Sequence, residues 1–157
     1  MLLDDYKRAA IKHQHTCHIL CQQYKITKGK ADKKHLLLNL YYLSGYIIEC
    51  SIKFGIYVHY AHHRTKDIKT LNVSGITYDR HIKHHRFARY KDYLTLKINA
   101  DLPLVSKKSS NSDVMKLFNE WDANVRYENK MKCKHESSII NFFEESVKIS
   151  NQIFNNC

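Results

Sequence analysis

The run Arg80-His81-Ile82-Lys83-His84-His85 places three imidazoles, an arginine and a lysine within six residues. An imidazole titrates near neutrality and can take or give a proton, while a guanidinium can brace a phosphate as negative charge builds on it. Cleavage of a phosphodiester beside a ribose 2′-hydroxyl can use both. Arg80, His84 and His85 are of the residue types that such chemistry uses. On a regular helix Arg80 and His84 share a face, whereas Arg80 and His85 point about 140° apart. The histidine pattern also recurs, since His59-x-x-His62-His63-Arg64 matches His81-x-x-His84-His85-Arg86. Histidines four apart on a helix can hold a metal. Neither pattern contains an Asp or Glu, and a metal-bound imidazole normally needs a carboxylate or carbonyl behind it. The favoured reading is a solvated cationic face, with no metal and no cofactor.

Formal net charge is +11 with a pI near 9.4, a balance that favours a polyanionic partner such as nucleic acid. Abundant Lys, Asn, Ile and Tyr, as an A- and T-rich genome produces, account for part of it. The distribution is uneven. His59 to Lys97 holds nine Lys or Arg against three Asp, a net of +6 in about a quarter of the chain. Within it, Lys83, Arg86, Arg89, Tyr90 and Lys91 combine phosphate-binding cations with a ring on which a base can stack, so they are the candidate RNA-binding residues.

These residues must be positioned by helices. A single proline and four glycines in 157 residues argue for helix over sheet, and a chain of this length can bury one core unaided. The central rod is Lys34 to Tyr60, where Leu36, Leu40, Leu43, Ile47, Cys50, Phe54 and Tyr57 recur at steps of four and three. Beside that stripe, Ser44, Ile48, Ser51 and Gly55 would let another helix approach closely. Glu49 and Lys53 are expected on the remaining polar side, in the favourable order for an ion pair. Before the rod, Tyr6, Ala10, His13, Cys17, Leu20 and Tyr24 mark a first helix from Asp4 to about Ile26, with Gly29 as its C-terminal cap. After it, Arg64 to Ile76 reads as a loop, and Thr77 as the cap of a third helix reaching about Ile98. Asn99 to Asn111 reads as an internal loop. Ser112 caps a fourth helix running to about Tyr127, and the last runs from Lys134 to Phe154 with two apolar stripes. The expectation is an all-α, single-domain antiparallel bundle of about five helices covering residues 1–157.

Asp4, Asp5, Lys7 and Arg8 follow Met1 at once, and Leu36 to Ile48 falls short of the roughly 18 apolar residues that cross a bilayer, so no membrane association is expected. Five cysteines without a CxxC pair fit a reducing cytoplasm, with Cys17 and Cys50 as core residues.

Leu43, Gly45, Glu49, Ile52 and Lys53 resemble the central-helix motif of HEPN domains, in which an apolar residue, Gly, Glu, an apolar residue and Lys recur in that order. Trp121 followed by Arg126-Tyr127 resembles the W-x4-RY ending that many of these domains show before their last helix. The resemblance spans roughly residues 4 to 155. It implies a helical bundle that works as a homodimer and is linked to RNA or nucleotides. Members that cut RNA carry Arg, four to six residues, then His, and act without a metal; Arg80 with His85 fits that spacing, as does Arg8 with His13 or His15, so the resemblance implies Arg80 with His85, or with His84 on a shared helix face outside the family spacing, as the catalytic residues. The implied function is an RNA-associated toxin or phage-defence component with metal-independent endoribonuclease activity. The alternative is a catalytically inactive nucleotide- or partner-binding subunit, the partner being for example a nucleotidyltransferase or an antitoxin. For Arg126 the implied role is structural, a guanidinium that ties helix ends together.

Overall fold

A computed structural model of the chain describes residues 2–59, 65–73, 75–85, 112–133 and 135–157. Among them are four α-helices: α1 (Leu3–Ile26), α2 (Lys30–His59), α3 (Ser112–Glu120) and α4 (Glu136–Asn155). The fold is all-α, with one short β-ribbon among the described residues. Arg86, Arg89, Tyr90 and Lys91, the far part of the expected third helix and the loop from Asn99 to Asn111 lie outside the described residues.

At the start of α1 the Asp5 carboxylate accepts the backbone N–H of Leu2 at 2.6 Å and a guanidinium N–H of Arg8 at 2.5 Å. Those two contacts, the backbone one foremost, hold its carboxyl below the usual carboxylate value. The buried positions Leu3, Tyr6, Ala10 and Cys17 follow the expected stripe and pack on α2. Gly29 does not cap α1, which ends at Thr27 with its N–H on the Gln23 carbonyl; Gly29 instead accepts the first-turn N–H of Lys33 in α2.

Helix α2 is the hub. From Ser44 to Tyr57 every residue but Tyr46 is buried, because α1 and α4 lie along it and the turn after α3 closes over it. The small row works as expected. Ser44 faces Cys17 of α1 with oxygen and sulfur 3.8 Å apart, and Ser51 bonds Ser150 of α4 at 2.8 Å, while each serine hydroxyl also serves its own helix. Burial pushes the Cys17 and Cys50 thiols up to about 12, so both are inert packing groups.

Two stretches differ from the sequence expectation. Residues 64–76 are not a plain loop where described: Asp67 caps a 3-10 turn (Ile68–Thr70), and β1 (Asn72–Val73) pairs antiparallel with β2 (Ile76–Thr77) across a turn that holds Gly75 at φ +79°. That left-handed conformation suits glycine. Thr77 does not cap a regular helix through its side chain; Tyr78–Ile82 is a π-helical turn closed by the Lys83 N–H on the Tyr78 carbonyl. The ring nitrogen Nδ1 of His81 reaches back to accept the Thr77 N–H at 3.1 Å, occupying the place of a cap.

Helix α3 also stops sooner than its apolar pattern implies. Its end at Glu120 is followed by a second 3-10 turn (Ala123–Tyr127), which Asp122 starts by accepting the Asn124 N–H. Aspartate at that position favours a new cap over continuation. The break lays Trp121 flat against α2, where its indole N–H donates to the Tyr42 carbonyl at 3.2 Å. A Cβ on Gly45 would stand 2.0 Å from the indole. Gly45→Ala therefore forces Trp121 off its seat, and a thermal or denaturant melt should show a loss of about 1–3 kcal/mol, the usual range for an overfilled core.

Candidate functional site

Tyr42, Tyr46, Glu49 and Lys53 follow one another at steps of four, three and four, which makes them one stripe of α2. Glu49 and Lys53 form the expected pair, Nζ to Oε1 at 2.7 Å, but not on a solvated face: they are 2% and 3% exposed. Tyr6 of α1 covers the ammonium, whose nitrogen is 5.7 Å from the ring centroid. On the other flank the segment after the π-turn brings in His85, whose Nδ1 lies 2.9 and 3.0 Å from the two carboxylate oxygens of Glu49.

An ionised carboxylate can only accept, so Nδ1 donates and the tautomer is set. In the neutral imidazole Nε2 is then the proton-accepting nitrogen, at the far edge of a side chain that is 49% exposed. A buried carboxylate behind an imidazole is the arrangement by which a histidine is oriented for proton transfer. The Tyr46 ring, 6.3 Å from that of His85, continues the site. It meets Trp121 at 5.2 Å, Tyr42 at 5.0 Å and His13 of α1 at 5.7 Å. Burial, then a hydrogen bond with Tyr42, pushes the Tyr46 phenol up, so its hydroxyl stays protonated at neutral pH.

The three catalytic candidates are thus placed unequally. His85 has a buried partner. Arg80 is exposed, and among the described residues no hydrogen bond, ion pair or ring contact joins it to His84 or His85. The one-face pairing of Arg80 with His84 presumed a regular helix, and the wider π-turn, ending before His84, does not supply that geometry. Lys83 is exposed and within 3.5 Å of Asp79. Arg126 does not tie helix carbonyls: it is exposed, with its guanidinium carbon 4.5 Å from the centroid of the Tyr127 ring and its side chain beside the Tyr42 hydroxyl.

Of the histidine pairs weighed for metal, His81 is engaged with Thr77 and His85 with Glu49. His59 lies 3.5 Å from Cys157, and His62 and His63 are outside the described residues. Among the described residues no cluster of three or more His, Cys, Asp or Glu is placed to hold a metal, and no helix is long and apolar enough to cross a membrane.

Sequence reasoning missed Glu49 as the partner of His85, together with Tyr42, Tyr46 and His13. The available signal was the spacing of the α2 stripe; the contact with His85 crosses 36 residues and has no local mark. Comparison with protein-family models, curated proteins and solved structures gives no match for this chain.

Two outcomes follow from the site. Glu49→Gln removes the carboxylate that pairs with the buried Lys53 ammonium, so it should cost about 3–5 kcal/mol in a denaturant titration, and Glu49→Gln with Lys53→Met should recover most of that loss. His13 supplies a pH dependence. Burial, with Lys12 adding to it, holds His13 below its ordinary value of 6.5. The unfolded chain then binds the proton more readily, so the contribution is complete above pH 6.5 and falls as acid is added. Denaturation midpoints between about pH 7 and 5 should fall less steeply in His13→Gln than in the wild type.

Proposed function

We propose that this chain is a HEPN-like, RNA-associated protein that cuts RNA without a metal, with His85 as its proton-transfer residue. The observation that carries the reading is the hydrogen-bonded link from the buried Glu49 carboxylate to Nδ1 of His85. It serves the chemistry directly. The 2′-oxygen of a ribose forms a bond to phosphorus, its proton passes to Nε2 of His85, and the bond to the 5′-oxygen breaks. The leaving oxygen takes a proton from water or from an imidazole of a second copy, and the product ends in a 2′,3′-cyclic phosphate. Arg80 and Lys83, exposed on the preceding turn, supply positive charge for the phosphate, and Arg86, Arg89, Tyr90 and Lys91 extend the basic run in sequence.

The resemblance in the motifs of Leu43 to Lys53 and Trp121 to Tyr127 supports the family part of this reading, because in the fold Gly45 and Trp121 are direct packing partners. Homodimerisation and a place in a toxin or defence system belong to the same proposal. One observation favours a second reading, a catalytically silent subunit that binds a nucleotide or docks a protein such as a nucleotidyltransferase or antitoxin. Ile11, Ile19 and Ile26 are 51%, 51% and 71% exposed on one side of α1, an apolar edge suited to a partner.

Purified protein incubated with mixed RNA and EDTA should give fragments with cyclic-phosphate ends. His85→Ala should slow the reaction about 10²- to 10⁴-fold, the range for losing a general acid–base group. His84→Ala should have a much smaller effect. Intact RNA with the wild type under every condition would remove the nuclease reading, and loss of cleavage on adding EDTA would remove the metal-free mechanism. Salt-insensitive capture of a protein partner by inert protein would leave the silent subunit in its place.

A further inference from the structure

Tyr127 is 69% exposed, and the other large apolar side chains exposed among the described residues, Leu2, Ile11, Ile19 and Ile26, are all aliphatic. Its position is fixed rather than trailing. The 3-10 turn that carries it is started by the Asp122 side chain, anchored by buried Val125 and closed by the Glu128 N–H on the Val125 carbonyl at 3.1 Å. Arg126 lies over the ring with its guanidinium carbon 4.5 Å from the centroid. A planar cation on an aromatic face orients the ring and adds positive charge at its edge.

The same guanidinium is beside the Tyr42 hydroxyl, and from Tyr42 the rings run on through Tyr46 to His85. Tyr127 is carried on a turn that packs against α2, the helix that bears Tyr42 and Tyr46. An exposed ring with a cation on one face has its other face for a flat, electron-rich partner. In a chain of net charge +11 the partner that fits both the ring and the cations is a nucleobase attached to a phosphate backbone.

We propose that Tyr127, backed by Arg126, is a nucleobase-stacking platform for single-stranded RNA, seating a base while the backbone runs along Tyr42 and Tyr46 toward His85. It rests on the RNA reading above and adds a subsite that the basic run at 83–91 does not contain. Stacking of this kind is tolerant of base identity, with purines favoured by their larger faces.

The test uses 2′-O-methyl oligoadenylate, which presents bases and phosphates but no 2′-hydroxyl to react, and measures its affinity for the intact protein across a salt series. Tyr127→Ala should weaken binding about tenfold, and Tyr127→Phe should stay within about twofold of wild type. Because no charge is removed, the dependence on salt should be the same for all three proteins. An abasic 2′-O-methyl backbone should bind wild type and Tyr127→Ala alike. Unchanged affinity in Tyr127→Ala overturns the platform and leaves RNA binding standing. A loss in Tyr127→Ala accompanied by a shallower salt dependence also overturns it, since the residue would then act through phosphate contacts. Failure of the wild type to bind any of the oligonucleotides overturns both the platform and the RNA reading.

Discussion

A carboxylate and an ammonium lie within the packed length of α2, and the fold is arranged so that neither is left alone. Glu49 and Lys53 are one helical turn apart in the hub helix, where an unpaired charge would cost several kcal/mol. Each neutralises the other, Tyr6 closes over the ammonium, and His85 takes up both oxygens of the carboxylate. A carboxylate has more acceptor capacity than one ammonium contact fills, and the His85 hydrogen bond takes up part of the rest. This requirement draws residues 76–85 onto α2 and fixes where the imidazole sits.

The surrounding packing enforces the same arrangement. Glu49 is buried because α2 is enclosed on nearly every side, and it is enclosed because Ser44, Ser51 and Gly45 keep its surface low where α1, α4 and Trp121 approach. Trp121 reaches Gly45 only because α3 breaks at Asp122, and that break creates the turn carrying Arg126 and Tyr127. The break that seats the indole thus also places Arg126 beside Tyr42. Structure and candidate site are not separable layers here.

The legible part of the sequence was periodic. Steps of three and four marked α1, α2 and α4 to within a few residues, because each long helix must bury a continuous stripe and the stripe is written directly in residue spacing. Short elements escaped. The π-turn and the ribbon at 72–77 are each a few residues long, too short for a period, and they depend on particular contacts such as the His81 ring on the Thr77 N–H. The end of α3 was misread because Trp121 and Val125 continue the apolar spacing through a point where Asp122 starts a new turn. For the site, Glu49 and Lys53 were read as an ion pair in the right order, yet placed in water. Sequence spacing shows which residues share a face and not what covers that face, and the cover here is His85 from a distant segment.

That distance decides between the two adjacent histidines. His84 and His85 differ little as residues, and the spacing argument on a regular helix favoured His84. Chemistry at an imidazole requires more than reach toward a phosphate: one nitrogen must be held so that the other has a defined protonation role. Glu49 does this for His85 and no described carboxylate does it for His84. The same contact has a structural use, since it fastens the segment after the π-turn to the hub helix. A residue fastened at Nδ1 and half exposed is held in a fixed position at the surface of the bundle. The contact between Glu49 and His85 thus ties the described end of the basic run to a buried position on the hub helix.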